Sequence, residues 1–275
     1  MKKRKRKYKL RFYIFFIGFI LIALITTIYL AKSIYQSKQL DYTTEEIHEL
    51  SFKSTTDLTK WHNKETKYVY ITFDDSPSKN APQILDILKQ YNVPGTFFVL
   101  GTSIRNNSQS KEILNRMVAE GHYIGLHSMT HDKNILYGDN GPANFVREMK
   151  EIQSLISNLT NGFQSELCRA PYGTGGGTFT NAHVDAIEQA GIKCWDWDVD
   201  TLDWKYSNDP ATVFQIFQNQ MQINQSKKDL VVLFHEKAST LVVLPQIIEY
   251  FQDLGYEFSA YHPDLSINKM FFKIH

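Results

Sequence analysis

From residue 67 onward, short apolar runs rich in Val, Ile, Phe and Tyr alternate with longer segments of helical period, and this alternation constrains the fold more than any other feature. The runs at 68–73, 96–100, 123–126, 166–169, 192–197, 230–234 and 256–260 are four to six residues long, the length of strands buried on both faces. Between them, segments 82–90, 111–120, 144–159, 182–189, 211–222 and 243–254 carry the apolar stripe of helices that pack on one side. Seven strands separated by six helices imply crossover connections, and hence a parallel sheet or barrel. In such folds ligands bind where the carboxyl ends of the strands meet the loops. The chemistry of this chain is therefore to be sought in the residues that follow each apolar run.

Upstream the grammar differs. The basic run from Lys2 to Arg11 is followed by 20 uncharged residues, 12–31, about the length a helix needs to cross a bilayer. Lys and Arg on the leading flank place that end in the cytoplasm and the rest of the chain outside. A cleaved signal peptide has a shorter apolar core and a small-residue cleavage site, for which only 29–31 offers a weak candidate, so a retained anchor is the expectation. Residues 32–65 are polar, with no sustained apolar period, and read as a stalk. The expected organisation is a basic cytoplasmic flank (1–11), a single transmembrane anchor (12–31), a linker (32–65) and an extracytoplasmic domain (66–275), acting as a monomer at the cell membrane.

Eight of the 30 Lys and Arg residues stand in the first eleven positions, which leaves 22 basic against 29 acidic residues in the remainder. An acidic body lacks the clustered basic face that binds a phosphate backbone, so no nucleic-acid partner is expected. Two cysteines, Cys168 and Cys194, fall in expected strands. Outside the membrane they could form a disulfide; two buried thiols are the alternative.

Five strand ends carry unusual polar residues. The first closes on Asp74-Asp75-Ser76-Pro77, adjacent carboxylates whose repulsion a bound cation would relieve, or else a solvated turn. The third leads into His127-Ser128-Met129-Thr130-His131; two histidines at i and i+4 share one face of a helical turn and can present two imidazoles to one metal. Arg169-Ala170-Pro171-Tyr172-Gly173 follows the fourth, where an Arg can hold a carboxylate ionised or make a surface ion pair. The fifth precedes Asp196, Asp198, Asp200 and Asp203-Trp204, and the sixth ends in Leu233-Phe234-His235-Glu236. Each signal alone has a bland explanation; together, all five lie at strand ends.

In this order the motifs Thr-Phe-Asp-Asp, His-Ser-x-x-His, Arg-x-Pro-Tyr-Gly, Asp-Trp and Leu-x-His resemble those of the NodB-homology polysaccharide deacetylases, carbohydrate esterase family 4. The resemblance runs from about residue 67 to the C-terminus. It implies a distorted (β/α) barrel with fewer than eight regular strands and one divalent metal, zinc foremost with cobalt, nickel or iron as alternatives, held by Asp75, His127 and His131. It further implies Asp74 as catalytic base, oriented by Arg169, and His235 as catalytic acid, tuned by Asp203. Tyr172 would offer its backbone N–H to the oxyanion, and Trp204 and Leu233 would shape the groove for the acetyl group. Two positions depart from the pattern: Ser76 stands where Gly is usual, which would be costly at a positive φ, and Glu236 stands where Asp commonly follows the histidine. The implied activity is removal of N-acetyl groups from an amino-sugar polymer, with peptidoglycan N-acetylglucosamine first and poly-N-acetylglucosamine, chitin oligomers or acetylated xylan behind it. A glycosidase, which needs two carboxylates and no metal, and a non-catalytic wall-binding module on the same fold stand as alternatives.

Overall fold

A long central strand, β1 (Lys67–Ser76), organises a sheet in which every pairing is parallel. The computed structural model describes residues 66–263; the expected flank, anchor and linker lie outside them. No helix among the described residues is long and apolar enough to cross a membrane. The remaining strands are β2 (Gly95–Val99), β3 (Tyr123–Leu126), β4 (Leu167–Cys168), β5 (Lys193–Cys194), β6 (Val199–Asp200), β7 (Asp229–His235) and β8 (Tyr256–Phe258). Their order is β5-β4-β3-β2-β1-β7-β6, with β8 against the start of β1. β5 and β6 stand at the two ends of this ladder, so the sheet curls into part of a barrel without closing.

Eight helices lie between the strands: α1 (Ala81–Tyr91), α2 (Gly101–Asn106), α3 (Ser110–Ala119), α4 (Lys133–Tyr137), α5 (Gly141–Leu159), α6 (Asn181–Gln189), α7 (Pro210–Asn224) and α8 (Ala238–Asp253). β1 and β7 are buried along nearly their whole length, which is why they read as unbroken apolar runs rather than alternating ones. Phe73 of β1 stacks between Phe97 of β2 at 4.8 Å and Phe234 of β7 at 5.7 Å. The helices close the core with Ile84, Leu85 and Leu88 from α1, Ile152 and Ile156 from α5, and Ile247, Ile248 and Phe251 from α8.

Three features differ from the sequence expectation. The run 192–197 is not one strand: only Lys193–Cys194 pairs, and a further two-residue strand, β6, follows. β6 is flanked and ended by Asp198 and Asp200, so it has no apolar run to announce it. Helices α2 and α4 are six and five residues long, too short for a 3.6-residue period to declare itself. Among the described residues there are thus eight strands rather than seven, although β4, β5 and β6 contribute only two residues each. Cys168 and Cys194 are register partners on β4 and β5, present as free, buried thiols.

Candidate active site

Because all the pairings are parallel, the carboxyl ends of β1, β3, β4, β6 and β7 share one rim, and the residues singled out above gather there. β1 and β7 run in register from Tyr68 opposite Asp229 to Asp74 opposite His235. This sets the expected base and the expected acid side by side. Asp74, Asp75, His127, His131, Tyr172, Trp204, Leu233 and His235 line one cavity of about 400 Å³.

Asp74 is buried, and Arg169 Nη1 donates to its Oδ1 at 2.9 Å. Arg169 is itself fully buried, against the surface ion pair that its residue type alone would suggest. It also donates to Thr72 Oγ1 at 2.8 Å and to the carbonyls of Trp195 and Asp196 at 3.1 and 3.0 Å, and it lies 4.1 Å from the Phe98 ring centroid. A buried guanidinium held by four hydrogen bonds is fixed in place, and so is the carboxylate it holds. Burial works against the charge on Asp74; Arg169, joined by His127 and His235, more than offsets it and keeps this carboxyl below its usual range.

On the neighbouring strand, His235 Nδ1 and Asp203 Oδ1 are 2.9 Å apart, while Asp203 Oδ2 accepts the His235 backbone N–H and the Thr240 hydroxyl, both at 2.6 Å. Burial disfavours the imidazolium, but the hydrogen bond and charge of Asp203 outweigh it, so His235 stays protonated to higher pH than a free histidine.

Asp75, His127 and His131 each offer one ligand atom, all within 4.8 Å of one another. The chemistry fits a metal. Asp75 Oδ1 is buried without a hydrogen-bond partner, and His127 Nε2 and His131 Nε2 each stand 3.8 Å from it. His127 Nδ1 lies 2.9 Å from the Arg169 carbonyl, so Nδ1 is the nitrogen that donates there and Nε2 is the one turned to the cavity. Burial and the neighbouring His127 lower the His131 pKa, favouring the neutral ring a metal requires.

The two histidines do not share a helical turn as their spacing suggested. Residues 127–132 form an irregular loop before α4, in which Ser128 (φ 72°) and His131 (φ 58°) take left-handed conformations. More generally, eight non-glycine residues among those described have positive φ. Asn92, Asn140 and Asn161 lie away from the rim and belong to a residue type that tolerates this region. The other five are Asp75, Ser128, His131, Tyr172 and Leu202, all in the site or beside Asp203. Ser76 is not among them, so the serine in place of glycine meets no steric objection.

Instead Ser76 meets Glu236. Its hydroxyl donates to Glu236 Oε1 at 2.8 Å, the Ser78 N–H donates to Oε2 at 2.5 Å, and Asn80 Nδ2 donates to the Glu236 carbonyl at 2.9 Å. The two departures from the family pattern are therefore one hydrogen-bonded unit.

The cavity also contains Trp197 and Asp200, neither given a role from sequence. The acid-rich stretch divides its work: Asp196 accepts from Thr174, Asp198 pairs with Lys227 at 2.7 Å, and Asp200 faces the cavity and accepts the Leu202 N–H at 2.9 Å. Trp197 explains Gly173, where φ is +75° and a Cβ would come within 2.7 Å of the indole. Tyr172 and Trp204 are each about half exposed at the mouth, and the Tyr172 hydroxyl donates to the His131 carbonyl at 2.8 Å.

Comparison with known proteins bears on the family and the fold. The polysaccharide deacetylase family pattern matches residues 62–195. A peptidoglycan-N-acetylglucosamine deacetylase of Bacillus cereus is 39% identical over 208 residues, covering 74% of this chain and 73% of that protein. Among solved structures, a polysaccharide deacetylase of Bacillus cereus superposes with a TM-score of 0.65 at 35% identity, covering 72% of this chain and 93% of the other. A carbohydrate esterase family 4 esterase of Streptococcus mutans gives a TM-score of 0.65 at 32% identity, with coverages of 71% and 86%. The chain belongs to the NodB-homology polysaccharide deacetylases of carbohydrate esterase family 4 and is a hydrolase acting on N-acetyl amide bonds.

Proposed function

We propose that the protein removes acetyl groups from N-acetylglucosamine of peptidoglycan, releasing acetate, with one divalent metal, zinc foremost, held by Asp75, His127 and His131. The observation that carries this reading is the pair of contacts at one cavity, Asp74 with Arg169 and His235 with Asp203, each at 2.9 Å. A metal bound there would polarise the amide carbonyl and lower the pKa of water. Asp74 then accepts the proton of the attacking water, and His235 donates its proton to the departing sugar amine, so the pair supplies base and acid on either side of the scissile bond. The Tyr172 N–H would steady the oxygen that becomes negative, a donor of a kind worth ~3 kcal/mol of barrier. Trp204, Leu233 and Trp197 wall the space for the acetyl group and sugar. Peptidoglycan as the polymer is supported by the activity of the 39% identical relative. The 12–31 segment supports a membrane anchor that holds the domain beside the wall.

The test is acetate release from peptidoglycan, chitooligomers and acetylated xylan by zinc-loaded protein, with chelator as control. Acetate chiefly from peptidoglycan, abolished by chelator and by His127→Ala together with bound zinc, is expected. New reducing ends that persist in chelator would replace the deacetylase with a glycosidase. Full zinc occupancy in His127→Ala would remove that residue from the ligand set.

A further inference from the structure

The loop that carries both histidines has no regular structure, so something outside it must hold Nε2 of His127 and of His131 on the same point. One side is provided by α2, whose first two N–H groups, from Gly101 and Thr102, donate to the carbonyls of Ser128 and Met129 at 3.0 Å each. The approach is close: a Cβ on Gly101 would sit 2.7 Å from the Met129 side chain and 2.8 Å from its carbonyl oxygen.

The other side is a single carboxylate from α5. Glu148 is buried, and no ion-pair partner lies beside it among the described residues. Its Oε2 accepts the backbone N–H groups of Met129 and Thr130, at 3.1 Å each, and the Thr130 hydroxyl lies 2.9 Å from both carboxylate oxygens. Met129 and Thr130 lie between the two left-handed residues, Ser128 and His131. A left-handed residue turns the direction of the chain, and two consecutive N–H groups fixed on one oxygen between two such turns set the angle at which both imidazoles leave the loop. Thr130 Oγ1 in turn accepts the Asp132 N–H at 3.2 Å, and Asp132 caps α4, so the hold extends to the end of the loop.

Resting on the metal reading above, we infer that Glu148 is a positioning residue for the metal site: it fixes the 127–131 loop so that His127 and His131 converge, and thereby sets metal affinity without touching the metal or the substrate. An acid whose only task was to anchor α5 would affect the stability of the domain and leave the affinity of the folded protein for metal unchanged. A positioning acid changes affinity in protein that is still folded. Residues that orient metal ligands are typically worth 10–100-fold in affinity.

The experiment measures zinc dissociation constants at fixed pH by competition with a chromophoric chelator. It uses wild type, Glu148→Ala, Glu148→Asp and Glu148→Gln, with far-UV circular dichroism and thermal unfolding of each metal-free protein. Glu148→Asp, one methylene short but still charged, serves if the alanine variant does not fold. The Ala and Asp variants should bind zinc at least tenfold more weakly at a temperature where their metal-free forms are folded. Glu148→Gln keeps an acceptor for the two N–H groups and a polar group against Thr130, and should bind within about threefold of wild type. Wild-type affinity in folded Glu148→Ala or Glu148→Asp overturns the inference. So does a Gln variant as weak as Ala, since charge rather than the hydrogen bonds would then be responsible. Failure of the wild-type protein itself to bind zinc would instead sink the metal reading, a distinguishable result.

Discussion

Asp203 reaches His235 twice, at the ring and at the backbone, and the Thr240 hydroxyl shares the load. The sign of its influence can be followed through a titration. In the proposed mechanism His235 is an acid only while protonated; Asp203 raises its pKa against the opposing effect of burial, so activity should persist to higher pH and fall as pH rises through that raised value. Asp203→Asn removes the charge, and the alkaline limb of the kcat–pH profile should move to lower pH. His235→Ala should keep its zinc and lose ~10²–10⁴-fold in kcat. An unmoved limb in Asp203→Asn would transfer the protonation to another group. At this scale the residues that gather at the candidate site were legible, because they stood at strand ends. Glu148 was not: a glutamate in an amphipathic helix has the same signature whether it faces solvent or a loop. Neither were the signs of φ at Asp75, Ser128, His131, Tyr172 and Leu202, whose residue types point away from the left-handed region.

Between elements, the Ser76–Glu236 unit joins the end of β1, which carries Asp74 and Asp75, to the end of β7, which carries His235. Burial raises the Glu236 pKa although hydrogen bonds from Ser78 and Ser76 and the charge of Lys237 oppose the shift. Glu236→Ala would leave the Ser78 N–H and the Ser76 hydroxyl without their buried acceptor. The loss should be about 1–3 kcal/mol in urea unfolding. Ser76→Ala should be milder, and the double variant should show a coupling of at least ~0.5 kcal/mol, as contacting residues do. Strict additivity would mean that the two act separately. The strands themselves were readable where they are long and buried: β1, β2, β3 and β7 match their apolar runs closely, whereas β4, β5 and β6 are two-residue pairings fixed by their neighbours. The spacing of the two histidines suggested a helical turn because i, i+4 is a helical period; the loop is held instead by contacts from α2, α5 and the 169–172 segment, distant in sequence.

At the scale of the whole molecule, the basic flank and the uncharged 12–31 segment predict an N-in, C-out arrangement, and protease added to intact protoplasts should digest the domain. A domain that survives this treatment, but is digested after lysis, would reverse the orientation. The parallel order of the strands explains why motifs scattered from residue 74 to residue 235 meet at one rim, and the alternation along the chain made that order readable. The five left-handed residues bear on something else, the portability of the chemistry. Each costs roughly 1 kcal/mol or more in isolation, so no short peptide bearing these motifs would hold their shape. A second barrel given the ten matching side chains alone would acquire the reagents without their angles. Transplanting this activity means transplanting the turns, and with them the α2 backbone, Glu148 and the Ser76–Glu236 pair that keep them bent.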